Sequence, residues 1–184
     1  MEYAFNMFNK MASAGLIMTL TNFLKDPTKK PIVLCIGSDL AIGDSLGPIC
    51  GTMLKEKKSD PNAFIYGTLK SPVTAKEVKY LNDFFKQTHP GAPVIAIDAA
   101  VGDAGDIGLI KIANKGLRPG LGANKKFSAV GDISIMGIVA EKSIFNYSLL
   151  NLTRLNLVYK MADIISNALS SYIDDLWNKQ YIAI

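Results

Sequence analysis

The sequence predicts an α/β protein, a three-layer α/β/α sandwich with a mostly parallel central sheet. Two segments, IVLCIG and VIAIDA, are continuous apolar runs of the kind that parallel strands need when both faces are covered. Helix-type and strand-type patterns alternate from residue 3 to residue 99, which favours a parallel sheet with helices on both faces. With 184 residues, 49% of them hydrophobic, the chain suits a single domain over residues 1–184.

Each element follows from local patterning and from turn residues. The first predicted element is a helix over about residues 3–24, which ends before Asp26-Pro27. The last is a long helix over about residues 145–173, whose apolar residues recur at helical spacing. Between them the patterns predict strands at 32–37, 63–68, 94–99, 106–112 and 132–139, and helices at 45–58 and 71–87.

Composition and charge exclude several classes of partner. The net charge is +4, but the lysines occur in short scattered groups without a basic–aromatic stripe, so we expect no nucleic-acid binding. The apolar stretch 11–20 is far shorter than a membrane span, and we expect it to be part of an amphipathic helix. Cys35 and Cys50 lie among apolar residues as small buried hydrophobes, which fits a reducing, cytoplasmic compartment.

Metal and cofactor sites are not expected. His89 is the only histidine, it precedes a strand at the wrong edge of the sheet for catalysis, and no CxxC pair occurs. The first strand is followed by neither a phosphate loop nor GxGxxG, and Asp44-Ser45 at the helix start would repel phosphate. The sequence therefore predicts no cofactor and no metal.

The candidate site lies where open α/β sheets bind ligands, beyond the carboxyl ends of the strands. Asp44 follows the first apolar strand in the segment GSDLAIGDSLGP, and Asp98 ends the strand VIAID. Asp44 has a structural alternative as the N-cap of the next helix. Asp98 has one as an anchor for a loop, although an acid at the end of a buried strand is costly unless it is paired or used.

Two carboxyl groups at neighbouring strand ends would interact strongly. One would hold a proton while the other stays ionised, because two adjacent like charges cannot both form easily. Such a pair can activate a water molecule and protonate a leaving amine. Neither a metal nor a histidine is required for that chemistry.

The block GSDLAIGDSLGP, followed by IDA and then by RPGLGANK, resembles the YyaC family of sporulation proteins from about residue 31 to residue 170. That family is similar to the germination protease and to the hydrogenase maturation endopeptidases, which implies a phosphorylase/hydrolase-like fold. In both groups two acids match Asp44 and Asp98, and in the germination proteases these two acids are implicated as the catalytic pair. The hydrogenase group also uses a later histidine to hold nickel, and this sequence has no histidine after His89.

The resemblance implies a sporulation-associated endopeptidase in a spore-forming bacterium, in the mother cell or the forespore. Its substrate would be a protein or peptide, with small acid-soluble spore proteins as candidates, and the oligomeric state stays open. Two rivals remain, an inactive binding or regulatory relative and a small-molecule hydrolase. Backbone N–H groups would steady the oxyanion from one of two loops. The residues expected in these loops are Gly37, Ser38, Gly43, Gly120, Gly122 and Lys125.

Overall fold

The computed structural model describes residues 1–24, 29–57, 62–119, 129–142 and 153–182. Six strands and four helices lie within these ranges, together with 3-10 turns at Ile42–Ser45 and Ala104–Asp106. The strands are β1 Glu2–Asn6, β2 Ile32–Cys35, β3 Phe64–Tyr66, β4 Val94–Gly102, β5 Leu109–Ala113 and β6 Ile133–Glu141. The helices are α1 Ala12–Phe23, α2 Leu46–Lys57, α3 Val78–Thr88 and α4 Leu155–Ile182.

The described strands form one sheet in the order β1-β5-β6-β4-β2-β3. Strands β6, β4, β2 and β3 pair in parallel, whereas β5 pairs antiparallel with both β1 and β6. Among the described strands, β5 alone therefore runs against the others. The predicted mostly parallel sheet is confirmed.

Helices cover both faces of the sheet. Side chains of α1, α2 and α4 form one apolar core with Val33, Ile95 and Ile97. On the opposite face, Val78 and Phe85 of α3 pack against Leu34 and its neighbours. Because both faces are covered, all four residues of β2 are fully buried, which explains their continuous apolar run. The three-layer α/β/α prediction is confirmed.

The N-terminal helix predicted over residues 3–24 is wrong in its first part. Residues 2–6 form the edge strand β1, which pairs with β5, and α1 begins only at Ala12. Two asparagines make the turn between them. The side-chain oxygens of Asn6 and Asn9 accept hydrogen bonds from the N–H groups two residues later, at 2.9 Å each, in the Asx-turn geometry that breaks a helix.

The predicted long C-terminal helix is present, but it begins and ends later than predicted. It begins at Leu155 and ends at Ile182, later than the predicted 145–173. Residues 153 and 154 are not helical, and 145–152 lie outside the described residues. No helix in the described part of the chain is long and apolar enough to cross a membrane.

Candidate active site

A tight turn after β2 holds Asp44 in place. The N–H of Ser38 donates to the backbone oxygen of Asp44 at 3.0 Å, and the N–H of Asp44 donates to Ala41 O at 3.0 Å. Gly37 has a φ of 142°, and a Cβ at this position would lie 2.0 Å from Asp44 O. Only glycine allows the backbone at residue 37 to come so close to Asp44 O, so this glycine helps to fix the position of Asp44.

The turn is also pressed against the end of β2 by the helix that follows it. A Cβ on Gly47, in the first turn of α2, would lie 2.1 Å from Ile36 O. The helix backbone can therefore approach the strand directly because residue 47 has no side chain. This contact keeps the 3-10 turn Ile42–Ser45, and with it Asp44, at the carboxyl end of β2.

Asp98 lies inside β4 and not at its end, which corrects the predicted strand boundary. Pairing of β2 with β4 stops at Cys35 and Ile97, and the N–H of Ile36 donates to Ile97 O at 2.8 Å. Beyond that point β4 continues beside β6 as far as Gly102. Asp98 is therefore the first residue of β4 after its pairing with β2 ends, at the edge where Asp44 lies.

The two carboxyl groups have different protonation behaviour. Burial raises the pKa of Asp98 well above its ordinary value, and the nearby charge of Asp44 raises it further. Burial raises the pKa of Asp44 to about 6, with partial compensation from the Ser38 backbone. At neutral pH the arrangement therefore favours an ionised Asp44 beside a protonated Asp98, which is one shared proton per pair.

The structural alternatives for the two acids stay open. The Ser38 backbone, on the turn side, lowers the pKa of Asp44 in part. Asp98 Oδ1 accepts a hydrogen bond from the adjacent Ala99 N–H at 2.9 Å. That bond joins neighbours in the same strand, so it does not anchor a distant loop.

The other predicted site residues are placed only in part. The N–H groups of Gly37 and Ser38 donate to Val73 O and Asp44 O, so both shape the turn. Gly43 is buried within the 3-10 turn Ile42–Ser45. Their roles in substrate binding stay predictions. Gly120, Gly122 and Lys125 lie outside the described residues.

His89 lies far from this edge, as the sequence predicted. It caps the C-terminus of α3 just before β4, its ring stacks on Phe64 at 3.8 Å, and Nε2 lies 2.8 Å from Tyr66 Oη. Within the described ranges, no group of three or more His, Cys, Asp and Glu side chains is arranged to hold a metal ion. The absence of a metal stays a prediction.

Three exposed apolar side chains at this edge were missed from the sequence. Leu40 is 90% exposed and Ile42 is 37% exposed, both within the turn that carries Asp44. Leu69, 41% exposed, lies in the neighbouring loop after β3. The turn sequence SDLAIGD contains both Leu40 and Ile42 among small and polar residues, but this pattern does not show which of them is exposed.

Comparison with known proteins supports the resemblance seen in the sequence. A family model described as "Protein of unknown function (DUF1256)" matches residues 4–168. A Bacillus subtilis (strain 168) protein, described as "Uncharacterized protein YyaC", is 40% identical over 172 residues. That match covers 92% of this chain and 83% of the relative. The resemblance to the YyaC family is confirmed, and the relative's description gives no activity.

A solved structure is also similar. It is a NiFe hydrogenase maturation protease, HycI, from Thermococcus kodakarensis KOD1, with 21% sequence identity. The match covers 77% of this chain and 94% of that chain, with a TM-score of 0.40. At that TM-score the likeness has no bearing on the activity of this chain.

Proposed function

This chain belongs to the family described as DUF1256, and we propose that it is a metal-free endopeptidase that uses Asp44 and Asp98 as an acid–base pair. One observation carries the proposal. Asp44, in the turn after β2, and Asp98, where the pairing of β4 with β2 ends, lie at the same edge of the sheet, and both pKa values are raised, that of Asp98 in part by the charge of Asp44. Perturbed pairs of this kind are typical of sites that transfer protons.

The first step would add water to the peptide carbonyl. The ionised Asp44 takes a proton from a water molecule, whose oxygen forms a bond to the carbonyl carbon. Asp98 donates its proton to the carbonyl oxygen, which gives a neutral tetrahedral diol. The second step returns both protons. The C–N bond breaks as Asp44 protonates the leaving nitrogen, and Asp98 recovers a proton from one hydroxyl group of the diol.

A donor to the developing oxygen charge would complete the site. The Gly43 N–H is one candidate, because Gly43 lies in the 3-10 turn directly before Asp44 in the sequence. Removing one donor of this kind typically slows catalysis by about 10²–10³. The Gly120–Lys125 loop remains the second candidate from the sequence.

The proposed substrate is a protein or peptide, with small acid-soluble spore proteins as candidates. This choice comes from the resemblance to the germination protease. The test is incubation of the purified protein with small acid-soluble spore proteins and with unfolded casein, followed by mass spectrometry of the products. We expect discrete internal cleavages that are lost in Asp44→Asn and in Asp98→Asn, with the fold retained by circular dichroism.

Two matched variants serve as controls. Asp39→Asn changes a residue in the same turn as Asp44, and Asp103→Asn changes the residue that directly follows β4, the strand of Asp98. Both side chains are exposed, so both variants should keep wild-type cleavage. Activity that survives in Asp44→Asn would contradict the acid–base pair.

The alternative is a catalytically inactive binding or regulatory protein on the same fold. The burial of Asp98, which is only 9% exposed, favours this alternative because little of the carboxyl group is open to a substrate. Absence of cleavage by the wild type on every protein tested would support it. A small-molecule hydrolase would instead cleave small esters or amides while leaving proteins intact.

A further inference from the structure

We infer that Leu40, with Ile42 and Leu69, selects an apolar side chain of the polypeptide bound at the acidic pair. The inference rests on the proposed function and names the substrate class that the site would accept. Leu40 lies four residues before Asp44 and is 90% exposed. An apolar side chain of a bound polypeptide that covers Leu40 would gain free energy, because burial of apolar surface is favourable.

The exposure of Leu40 belongs to a turn that hydrogen bonds hold in shape. Its own N–H donates to Ser38 Oγ at 3.2 Å, and the N–H of Ser38 donates to Asp44 O at 3.0 Å. The same hydrogen-bonded turn therefore positions both the Leu40 side chain and Asp44. A substrate side chain that contacts Leu40 would be placed at a set position relative to the Asp44 carboxylate.

Leu69 extends this apolar surface from the next loop. The backbones of Thr68 and Ser71 exchange hydrogen bonds at 3.0 and 3.1 Å, and the N–H of Leu69 donates to Thr52 Oγ1 at 2.9 Å. The same loop continues to Val73, whose carbonyl accepts the Gly37 N–H at 2.9 Å. The two loops are thus joined, and their exposed leucines belong to one edge of the sheet.

The chemistry of the edge selects one kind of occupant. Asp44 is ionised at neutral pH and would repel an acidic side chain close to the scissile bond. The exposed Leu40, Ile42 and Leu69 offer contact to a leucine, methionine, valine or phenylalanine side chain. Given the proposed peptidase function, we infer that the occupant is a polypeptide segment that places an apolar residue beside the bond to be cut.

The test measures binding and cleavage separately. A fluorescent peptide library with one variable position is titrated against wild type and against Asp98→Asn, and the cleavage products of wild type are mapped by mass spectrometry. We expect peptides with an apolar residue at that position to bind best and to be cut beside it. Leu40→Ser should weaken the binding of these peptides by about tenfold or more, as the loss of apolar contacts does in other pockets.

A matched control is Met18→Ser, which changes another exposed apolar residue (68% exposed) on the surface of α1. It should leave affinity and preference unchanged. Unchanged preference in Leu40→Ser, or wild-type protein that binds no peptide, would overturn the inference. Apolar-selective binding without any cleavage would support the inference while refuting the proposed peptidase activity.

Discussion

In the proposed mechanism the two aspartates take different roles, because their surroundings differ. Asp98 is buried in the middle of the sheet, and burial is the main reason that its carboxyl group holds a proton. Asp44 lies on the turn, is only partly buried, and has a pKa of about 6. Asp44 is thus the better general base near neutral pH, and Asp98 is the better acid, as expected when environments push two pKa values apart.

This division predicts a bell-shaped dependence of kcat/KM on pH. Activity should rise as Asp44 ionises, with a midpoint near pH 6, and fall at higher pH as Asp98 loses its proton. The two apparent pKa values belong to the pair, because the groups interact. The measurement is cleavage of one fluorogenic peptide across pH 4 to 10, at constant ionic strength and with substrate well below KM.

The pH profile of Asp39→Asn provides the comparison, since that exposed residue is in the same turn but outside the pair. Its two midpoints should coincide with those of the wild type. A wild-type profile that is flat between pH 5 and 8 would contradict the assignment of Asp44 as the base.

A further prediction for this pair of residues is that cleavage does not require a metal ion. Two carboxyl groups without an imidazole or thiolate make a poor site for nickel or zinc. Protein purified without an affinity tag should contain no stoichiometric transition metal by elemental analysis, and EDTA should leave cleavage unchanged. Nickel or zinc that is bound by wild type and lost in Asp44→Asn would refute this expectation.

Asp44 and Asp98 could be proposed from the sequence because Asp98 directly follows an apolar run and Asp44 lies in the turn after another one. Their roles remained ambiguous in the sequence, since an aspartate at Asp44 also suits a helix cap and one at Asp98 also suits a loop anchor. The exposure of Leu40 could not be predicted, because it depends on how the turn folds back through Ser38 and Asp44. The hydrophobicity of the segment does not predict which of its apolar side chains is exposed in a tight turn.

At the scale of elements, the turn between β2 and α2 depends on glycine. Gly37→Ala should destabilise the protein by about 2–4 kcal/mol, since alanine disfavours a φ of 142° and its Cβ would meet Asp44 O at 2.0 Å. Any folded variant should also lose cleavage activity, because Asp44 must move. Urea unfolding followed by tryptophan fluorescence measures the first effect, and the peptide assay measures the second.

Gly105→Ala is the matched control for that experiment. Its Cβ would meet nothing within 4 Å, so the substitution should change stability by less than about 1 kcal/mol. Equal effects of the two substitutions would show that the turn tolerates a side chain at residue 37.

The strand β1 shows why an edge element escaped prediction. Its five residues are mostly exposed, so they carry no clear alternation of buried and exposed side chains. The strand forms because β5 offers a free edge, and the register joins Glu2 to Ala113 across more than a hundred residues. The central strands β2 and β4 could be predicted because strands that are buried on both faces consist of continuous apolar residues.

At the scale of the whole molecule, the sheet order explains how two acids that are distant in sequence come to the same edge. Strands β2 and β4 are separated in sequence by α2, β3 and α3, yet they are neighbours in the sheet and parallel. Parallel neighbours present their carboxyl ends at the same edge, so residues that follow β2 lie beside the later part of β4. The alternation of helices and strands made this fold class predictable, but the strand order came only from the structure.

The same acidic pair should make the stability of the molecule depend on pH. A carboxyl group whose pKa is raised on folding holds its proton more tightly in the folded state than in the unfolded state. Its contribution to stability is therefore full below the unfolded pKa of 3.8 and is lost as pH rises through the folded value, about 6 for Asp44. Asp98, with a pKa raised further, extends the loss to higher pH.

The free energy of unfolding should accordingly fall between about pH 4 and pH 6.5, by an amount on the order of 2–3 kcal/mol from Asp44 alone, and Asp98 should continue the fall at higher pH. Glu77 works in the opposite direction, since its hydrogen bond from Thr74 lowers its pKa, but that effect is lost only at more acidic pH. Asp98→Asn should flatten the profile and stabilise the protein at pH 8, because asparagine has nearly the same shape and cannot ionise. Urea unfolding at several pH values measures both slopes, with Asp39→Asn as the control that should follow the wild type. If Asp98→Asn loses stability with rising pH as steeply as the wild type, the buried carboxyl group is not held protonated by the fold, and its role as the acid of the pair fails with it.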